Sequence, residues 1–322
     1  MIGKRGKLLI VLYMIFLVIL FLMCSTDLII REPEKEVYQI AVIVEDARDD
    51  NYGNFRKGMD QAAIELSADV RFITLYDRLD KEQQMELISR EQQDGADALI
   101  VVPVDEGQVA DALSKKQVNI PTVLLGTGKS GENAAGSISV DYRQMGRKLA
   151  EGMVKRLPEG CPVMVLSEPE GLNAVSGDFL EGAEEVLEGS GHNCQRIVLE
   201  EEGGYKKALE MPAEKEAAYL AGTPEILSAA ADILAENASP AGDIRGLYGR
   251  GNTPDILWAL DEGTVSGICV TDEFSRGYFS VYMAVQALER AGGQIPLVLD
   301  SYYIEKEDLR DPKYEKMLYP ME

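Results

Sequence analysis

Two rhythms of apolar and polar positions run along the 322-residue chain. From residue 38 onward, short apolar runs rich in β-branched side chains alternate with segments whose apolar residues recur every three or four positions. Residues 38–45 (YQIAVIVE) predict a buried strand. Residues 51–66 follow at helical spacing, with Phe55, Met59, Ala62, Ala63 and Leu66 on one face. The same reading places strands at 70–75, 98–102, 122–125 and 136–140, and helices at 81–93 and 109–116. The rhythm then restarts. Helices fall at 142–157, 177–188, 224–237, 253–261 and 279–290, with strands at 162–166, 195–199, 217–220, 244–248, 265–270 and 297–299. Strand–helix alternation predicts parallel sheets covered on both faces, and two successive sets predict an α/β chain of two Rossmann-like lobes. Open parallel sheets bind ligands beyond the carboxyl ends of their strands, so two facing lobes would hold one in the cleft between them.

Residues 8–24 (LLIVLYMIFLVILFLMC) break this pattern: the run is unbroken, apolar and near the length that crosses a bilayer. It ends in Phe21-Leu22-Met23-Cys24, without the small-x-small site of a cleaved signal peptide. Lys4, Arg5 and Lys7 precede it, and Glu32, Glu34 and Glu36 follow it. The positive-inside rule therefore puts residues 1–7 in the cytoplasm, a transmembrane anchor at 8–30, and the rest outside. Residues 31–37, charged and containing Pro33, read as a tether. A cysteine closing such a run also suggests a bacterial lipoprotein signal, but Met23 stands where a small residue is usual. An uncleaved anchor is the favoured reading, with lipidation at Cys24 as the alternative.

Hydrophobic content of 46% is ordinary for a folded chain, and the length suits two lobes of roughly 100–150 residues. A net charge of −23 argues against nucleic acid, whose phosphates need clustered Lys and Arg. Outside the membrane the charge serves solubility.

Several stretches occur in an order that resembles the type I periplasmic binding proteins, the ribose-binding group above all. IAVIVEDARDDNYGNFRKGMDQAA is similar to that family's first strand, ligand-facing turn and first helix. DGADALIVVPVDEGQVADAL resembles its Gly-x-Asp-x-Ile-x-x-x-Pro-x-Asp stretch, and IPTVLL its fourth strand. SISVDYRQMGRKLAEGM resembles the crossover into the second lobe. The resemblance implies a three-stranded hinge, with the chain crossing between lobes near Asp141, Thr271 and Val298. One lobe would then comprise 38–141 and 271–297, the other 142–270 and 298–322. Closure of the hinge around a ligand is the implied motion.

The resemblance also implies ligand-binding positions. Asp49, Asn51 and Tyr52 fall on the first ligand-facing turn, where Tyr52 could pack on the C–H face of a sugar. Asp105 lies in the Pro-x-Asp stretch, Asp141 at the crossover and Thr271 on the hinge side. Tyr205 matches another aromatic position. The charged anchors of ribose-binding relatives are replaced: Gly126-Thr127 stands for the Asp-Arg pair after the fourth strand, Gly177 for an Arg, Gly222-Thr223 for an Asn-Asp pair, and Gly251, beside Arg250 and Asn252, for an Asp. Thr127, Thr223 and Asn252 join the candidate set on those grounds. Losing bidentate carboxylate and guanidinium contacts puts ribose itself in doubt.

Other residues bear on chemistry less. GTGKSG (126–131) lacks the earlier glycine and following helix of a phosphate loop. His192, the only histidine, supports neither a triad nor a typical zinc site and reads as an exposed turn residue. Asp46, Asp49 and Asp50 lack calcium-loop spacing. Glu200, Glu201 and Glu202 read as an exposed loop. Cys161 and Cys194 each precede a strand and would meet at one sheet edge, as a disulfide or as separate thiols; Cys269 reads as a core thiol. Tyr302, Tyr303, Met317, Leu318 and Tyr319 stud a polar tail, either packing over the hinge or forming a partner surface.

No nucleophile–base pair or metal cluster is visible, so the chain reads as a non-enzyme with no cofactor and no metal. The expected function is capture of a small polar ligand, a sugar first of all, for a membrane permease of the ATP-driven kind. The alternative is a ligand-sensing partner of a membrane receptor histidine kinase. A repressor with this two-lobed core would need a DNA-reading helix pair where this chain has its apolar run.

Overall fold

The computed structural model describes residues 4–25, 37–47, 50–127, 133–199, 216–236, 244–289 and 296–320. Two compact units emerge, residues 1–37 and 38–322. In the first, helix α1 (Lys4–Ser25) is 22 residues long, about 33 Å at the usual helical rise. Its window Gly6–Met23 has a mean hydropathy of 2.7 and none of it is buried, so it is long and apolar enough to cross a membrane.

The second unit contains two six-stranded sheets with matching strand order. The first sheet runs β11-β5-β4-β3-β1-β2, from β1 (Tyr38–Ile43), β2 (Ala68–Ile73), β3 (Ala98–Val101), β4 (Thr122–Gly126), β5 (Gly136–Val140) and β11 (Leu297–Leu299). All its pairings are parallel, with Ile43 opposite Val101 and Val140 opposite Leu299. The second sheet runs β12-β10-β9-β8-β6-β7, from β6 (Val163–Ser167), β7 (Cys194–Val198), β8 (Ala218–Ala221), β9 (Gly246–Arg250), β10 (Gly267–Thr271) and β12 (Ser301–Ile304). It is parallel except that β12 runs antiparallel to β10.

Alternate side chains of each strand enter opposite cores, the period of two that a strand imposes. In β1, Ile40 and Val42 join Phe55, Met59 and Val281 on one face, while Ala41 and Ile43 join Ile88 and Val109 on the other. These side chains come from α2 (Gly53–Leu66), α3 (Lys81–Gln93), α4 (Glu106–Ser114) and α9 (Glu273–Leu288). The second lobe repeats the plan: Val163 and Val165 pack with α5 (Tyr142–Arg156) and α6 (Ala174–Gly189), and Leu166 packs with α7 (Pro224–Glu236) and α8 (Pro254–Glu262). The fold is the two-lobed α/β architecture expected from the sequence.

Three passages link the sheets: β5 into α5 at Asp141, β10 into α9 at Asp272, and β11 into β12 at Asp300, just after Val298. The tail packs on the second lobe. Met317 and Leu318 of α10 (Pro312–Leu318) are buried in its core, and the Tyr302 and Tyr314 rings meet edge-on at 5.8 Å.

His192 differs from expectation. It is 5% exposed, with Nδ1 3.0 Å from the Cys161 carbonyl. That carbonyl precedes β6, and the polar turn folds back so that the imidazole satisfies it. Cys161 and Cys194 are free thiols, and Cys161 Sγ donates to the Glu216 carbonyl at 3.4 Å. Cys269 is a fully buried thiol, as its apolar strand implied.

Candidate functional site

A strand order of 2-1-3-4-5 places a switch point where β1 and β3 part company, and the second sheet repeats it between β6 and β8. In the first lobe the parting ends are held by a buried glutamine. Gln84 Nε2 donates to the Val102 and Val44 carbonyls at 2.8 and 3.4 Å, and its Oε1 accepts from Val104 N at 2.8 Å. Side-chain bonds thus replace the ladder bonds that diverging strands cannot make.

A cavity of about 510 Å³ opens beyond these ends, lined from both sheets. Its volume falls within the roughly 300–1,000 Å³ usual for small-molecule sites. The first lobe contributes Glu45, Asp46, Asn51, Tyr52, Arg78, Asp105, Glu106 and Thr127. The second contributes Tyr142, Met145, Asn173, Glu225, Arg250 and Asn252, and the hinge adds Thr271, Glu273 and Arg276.

Of the residues singled out from sequence, Asn51, Tyr52, Asp105, Thr127, Asn252 and Thr271 line this cavity. Asp49 and Tyr205 lie outside the described residues, as do the tether at 31–36, Glu200 to Glu202, and Lys129 and Ser130 of the Gly-rich loop. Asp141 and Thr223 are not among the lining residues. Both cap helices instead: Asp141 accepts from Gln144 N at 2.8 Å at the start of α5, and Thr223 Oγ1 from Ile226 N at 3.3 Å at the start of α7. Asp105 caps α4 through Gln108 N at 3.0 Å while also facing the cavity.

At the base of the cavity, Tyr52 is 6% exposed and its ring packs on Phe55 and Phe72, with centroids 5.8 and 5.5 Å away. Its hydroxyl donates to Glu45 Oε2 at 2.6 Å. Burial pushes the Glu45 carboxyl above the usual range, with the Tyr52 bond and the Arg276 charge opposing. Arg276 sits beside them, 7% exposed, with Nη1 3.3 Å from Glu273 Oε2. Thr271 Oγ1 donates to the other Glu273 oxygen at 2.6 Å. Burial disfavours the Arg276 charge, but Glu273, Tyr142, Tyr52 and Glu45 outweigh it and hold its pKa above the usual value.

Sequence reasoning missed Glu106. Its carboxylate accepts from Thr127 N and, at 2.9 Å, from Thr127 Oγ1. A Cβ on Gly126 would stand 2.3 Å from Glu106 Oε1. The glycine that replaces the expected Asp therefore makes room for a carboxylate delivered from α4. On the far side, Arg250 Nε donates to the Gly222 carbonyl at 3.1 Å, and its guanidinium lies over Tyr142 and Phe179 at 5.6 and 5.9 Å.

Protein groups also bridge the lobes. Arg78 Nη1 meets Glu168 Oε1 at 2.5 Å, and Asn51 Nδ2 donates to Glu225 Oε1. Asn54 and Lys57 of α2 donate to the Leu318 and Pro320 carbonyls at 3.2 and 3.1 Å. These contacts tie the two lobes to each other beside the cleft. Three polar atoms of lining residues are buried without a protein partner: Glu225 Oε2, Asn252 Nδ2 and Arg276 Nε. Buried donors and acceptors are normally satisfied, so these three stand out among the lining residues.

Solved structures share this architecture. A solute-binding protein of an ABC transporter from Bacillus halodurans C-125, with bound myo-inositol, aligns at 19% identity over 88% of this chain and 99% of its own, with a TM-score of 0.75. One from Agrobacterium vitis with bound D-fucose aligns at 16% identity over 87% and 100%, with a TM-score of 0.76. The complex of the TorS sensor domain with TorT, solved in the absence of ligand, aligns at 18% identity over 88% and 98%, with a TM-score of 0.74. No curated relative matches the sequence. Residues 40–294 match the profile of the periplasmic binding protein domain, and the chain belongs to that family.

Proposed function

We propose that this chain is an extracytoplasmic solute-binding protein, held at the membrane by α1, that closes on a small polar ligand of the sugar class and presents it to an ATP-driven importer. The observation that carries this reading is the cavity lined from both lobes, with buried polar atoms of Glu225, Asn252 and Arg276 left unpartnered. A cyclic polyol and a sugar bound in similar structures support the ligand class. The proposed contacts are the lining residues Asn51, Tyr52, Asp105, Thr127, Asn252 and Thr271, together with Glu45, Glu106, Glu225, Arg250 and Arg276. The proposed lobes are 38–141 with 271–297 and 142–270 with 298–322.

A second reading, a ligand-sensing partner of a membrane receptor, is favoured by the likeness to the TorS–TorT complex. A thermal-shift screen of mono- and oligosaccharides tests ligand capture. A cognate sugar at about 100 times its Kd should add about 2.7 kcal/mol to stability, and a panel in which no polar solute moves the midpoint would sink the reading. Sugar uptake and transcriptional response in a deletion strain separate importer from sensor.

The anchor has its own test. Intact mass of the protein extracted from membranes should equal that of the whole chain. A mature N-terminus at a lipid-modified Cys24 would overturn the uncleaved helix.

A further inference from the structure

The cleft carries an excess of negative charge that a neutral sugar would leave uncompensated. Among the described residues, its lining holds the carboxylates of Glu45, Asp46, Asp105, Glu106, Glu225 and Glu273. Against these stand the guanidiniums of Arg78, Arg250 and Arg276, and none of the described lining residues is lysine or histidine.

The three cations are largely committed. Arg78 pairs with Glu168, a further carboxylate from outside the lining. Arg276 pairs with Glu273, and Arg250 is held by the Gly222 carbonyl and two aromatic rings. Most lining carboxylates have donors: Glu45 has Tyr52, Glu106 has Thr127 and Asp105 has Gln108 N.

Glu225 is satisfied on one oxygen only. Asn51 donates to its Oε1, but Oε2 is buried without a partner. Burial works against this carboxylate, yet Arg78, its own backbone N–H, the Thr223 side chain and Arg250 hold its pKa below the ordinary value. A buried carboxylate oxygen with no donor is unfavourable. Arg276 Nε and Asn252 Nδ2, also of lining residues, need acceptors, which hydroxyl groups supply.

We propose that the captured solute is a polyhydroxylated amine, such as an amino sugar or amino polyol, with its ammonium on Glu225 and its hydroxyls on Arg276 and Asn252. This rests on the reading of the cleft as a solute-capture site. The protein's net charge of −23 would draw cations toward the cleft and repel anions.

Calorimetric titration of the full-length chain in detergent micelles with matched pairs tests it: D-glucose with D-glucosamine, D-galactose with D-galactosamine, and D-sorbitol with N-methyl-D-glucamine. The amine of at least one pair should bind about tenfold tighter than its neutral partner, a difference of about 1.4 kcal/mol. Glu225→Gln should shrink that advantage to less than about threefold. Neutral members binding as tightly as amines would overturn the ammonium assignment and leave solute capture standing. Binding of D-galacturonate in preference to D-galactosamine would overturn it likewise, and heat from none of these compounds would overturn both.

Discussion

Replacing Arg276 by methionine is expected to lower the stability of the folded chain by about 3–5 kcal/mol at neutral pH, because it strips the counterion from a buried charge cluster. Arg276 lies within the cluster of Glu273, Glu45, Tyr52 and Tyr142, and each of them favours its charged form. Methionine fills similar space but leaves Glu45 and Glu273 facing each other's field at the hinge. The deficit should depend on pH in a defined direction. Burial already raises the Glu45 carboxyl, and Arg276 is among the groups that oppose the rise. Without it the folded-state pKa climbs further above the unfolded value, so the folded form prefers the protonated acid. The loss is then smallest below the ordinary carboxylate pKa, grows as pH rises through the window up to the elevated value, and is complete above it. Urea unfolding of both proteins at about pH 4 and pH 7.5 measures this. A deficit under about 1 kcal/mol, or one equal at both pH values, would show that Arg276 does not neutralise the cluster.

Arg276 also shows where the sequence becomes hard to read. The helix that carries it begins at Glu273, whereas apolar spacing predicted a start at 279. Its first turns, Glu273 to Tyr278, carry polar residues and Gly277 where a core helix would show an apolar stripe, because this end faces the hinge and the cavity. The lobes themselves were legible, because strands buried on both faces leave apolar runs that need no partner to be recognised. β12 was not. It follows β11 after a single residue, is antiparallel, and lacks the preceding helix that announced most other strands.

The site was legible in part, for an equally local reason. Asn51, Tyr52, Asn252 and Thr271, singled out by resemblance, line the cavity because their positions lie at or beyond strand ends, which the fold fixes. Resemblance could not locate Glu106 or Glu225, which reach the cleft from the first turns of α4 and α7. A plain signal separates caps from contacts, however. Asp80, Asp105 and Asp141 each precede a glutamine by three positions, and all three accept from that glutamine's backbone N–H. An acid three residues before Gln at a helix start is a capping pattern, and it assigns Asp141 to α5 more directly than to any ligand.

Glycines on the helix faces lead to the second large effect. Gly58→Ala should destabilise the chain by at least about 3 kcal/mol, whereas Gly53→Ala in the same helix should be neutral or stabilising by up to about 1 kcal/mol. A Cβ at Gly58 would lie 1.9 Å from the Phe274 carbonyl oxygen, and one at Gly277 would lie 2.0 Å from that of Phe55. α2 and α9 therefore cross with their backbones in reciprocal contact. The second lobe does the same, with Gly146 against Phe179 O at 1.9 Å and Gly182 against Arg143 O at 2.0 Å. The obstructing atoms are helix carbonyls, which no rotamer change can move, so an added methyl must drive the helices apart by more than about 1 Å. At Gly53 nothing stands within 4 Å, and the substitution there only removes backbone freedom from the unfolded chain. Separating α2 from α9 would also displace Arg276, next to Gly277, from Glu45 and Tyr52 at the base of the cavity. Gly58→Ala should therefore lose ligand affinity along with stability, while Gly53→Ala keeps both. Thermal midpoints and titrations of the two variants, measured side by side, decide the matter: equal behaviour would mean that the close helix crossing does not organise the site.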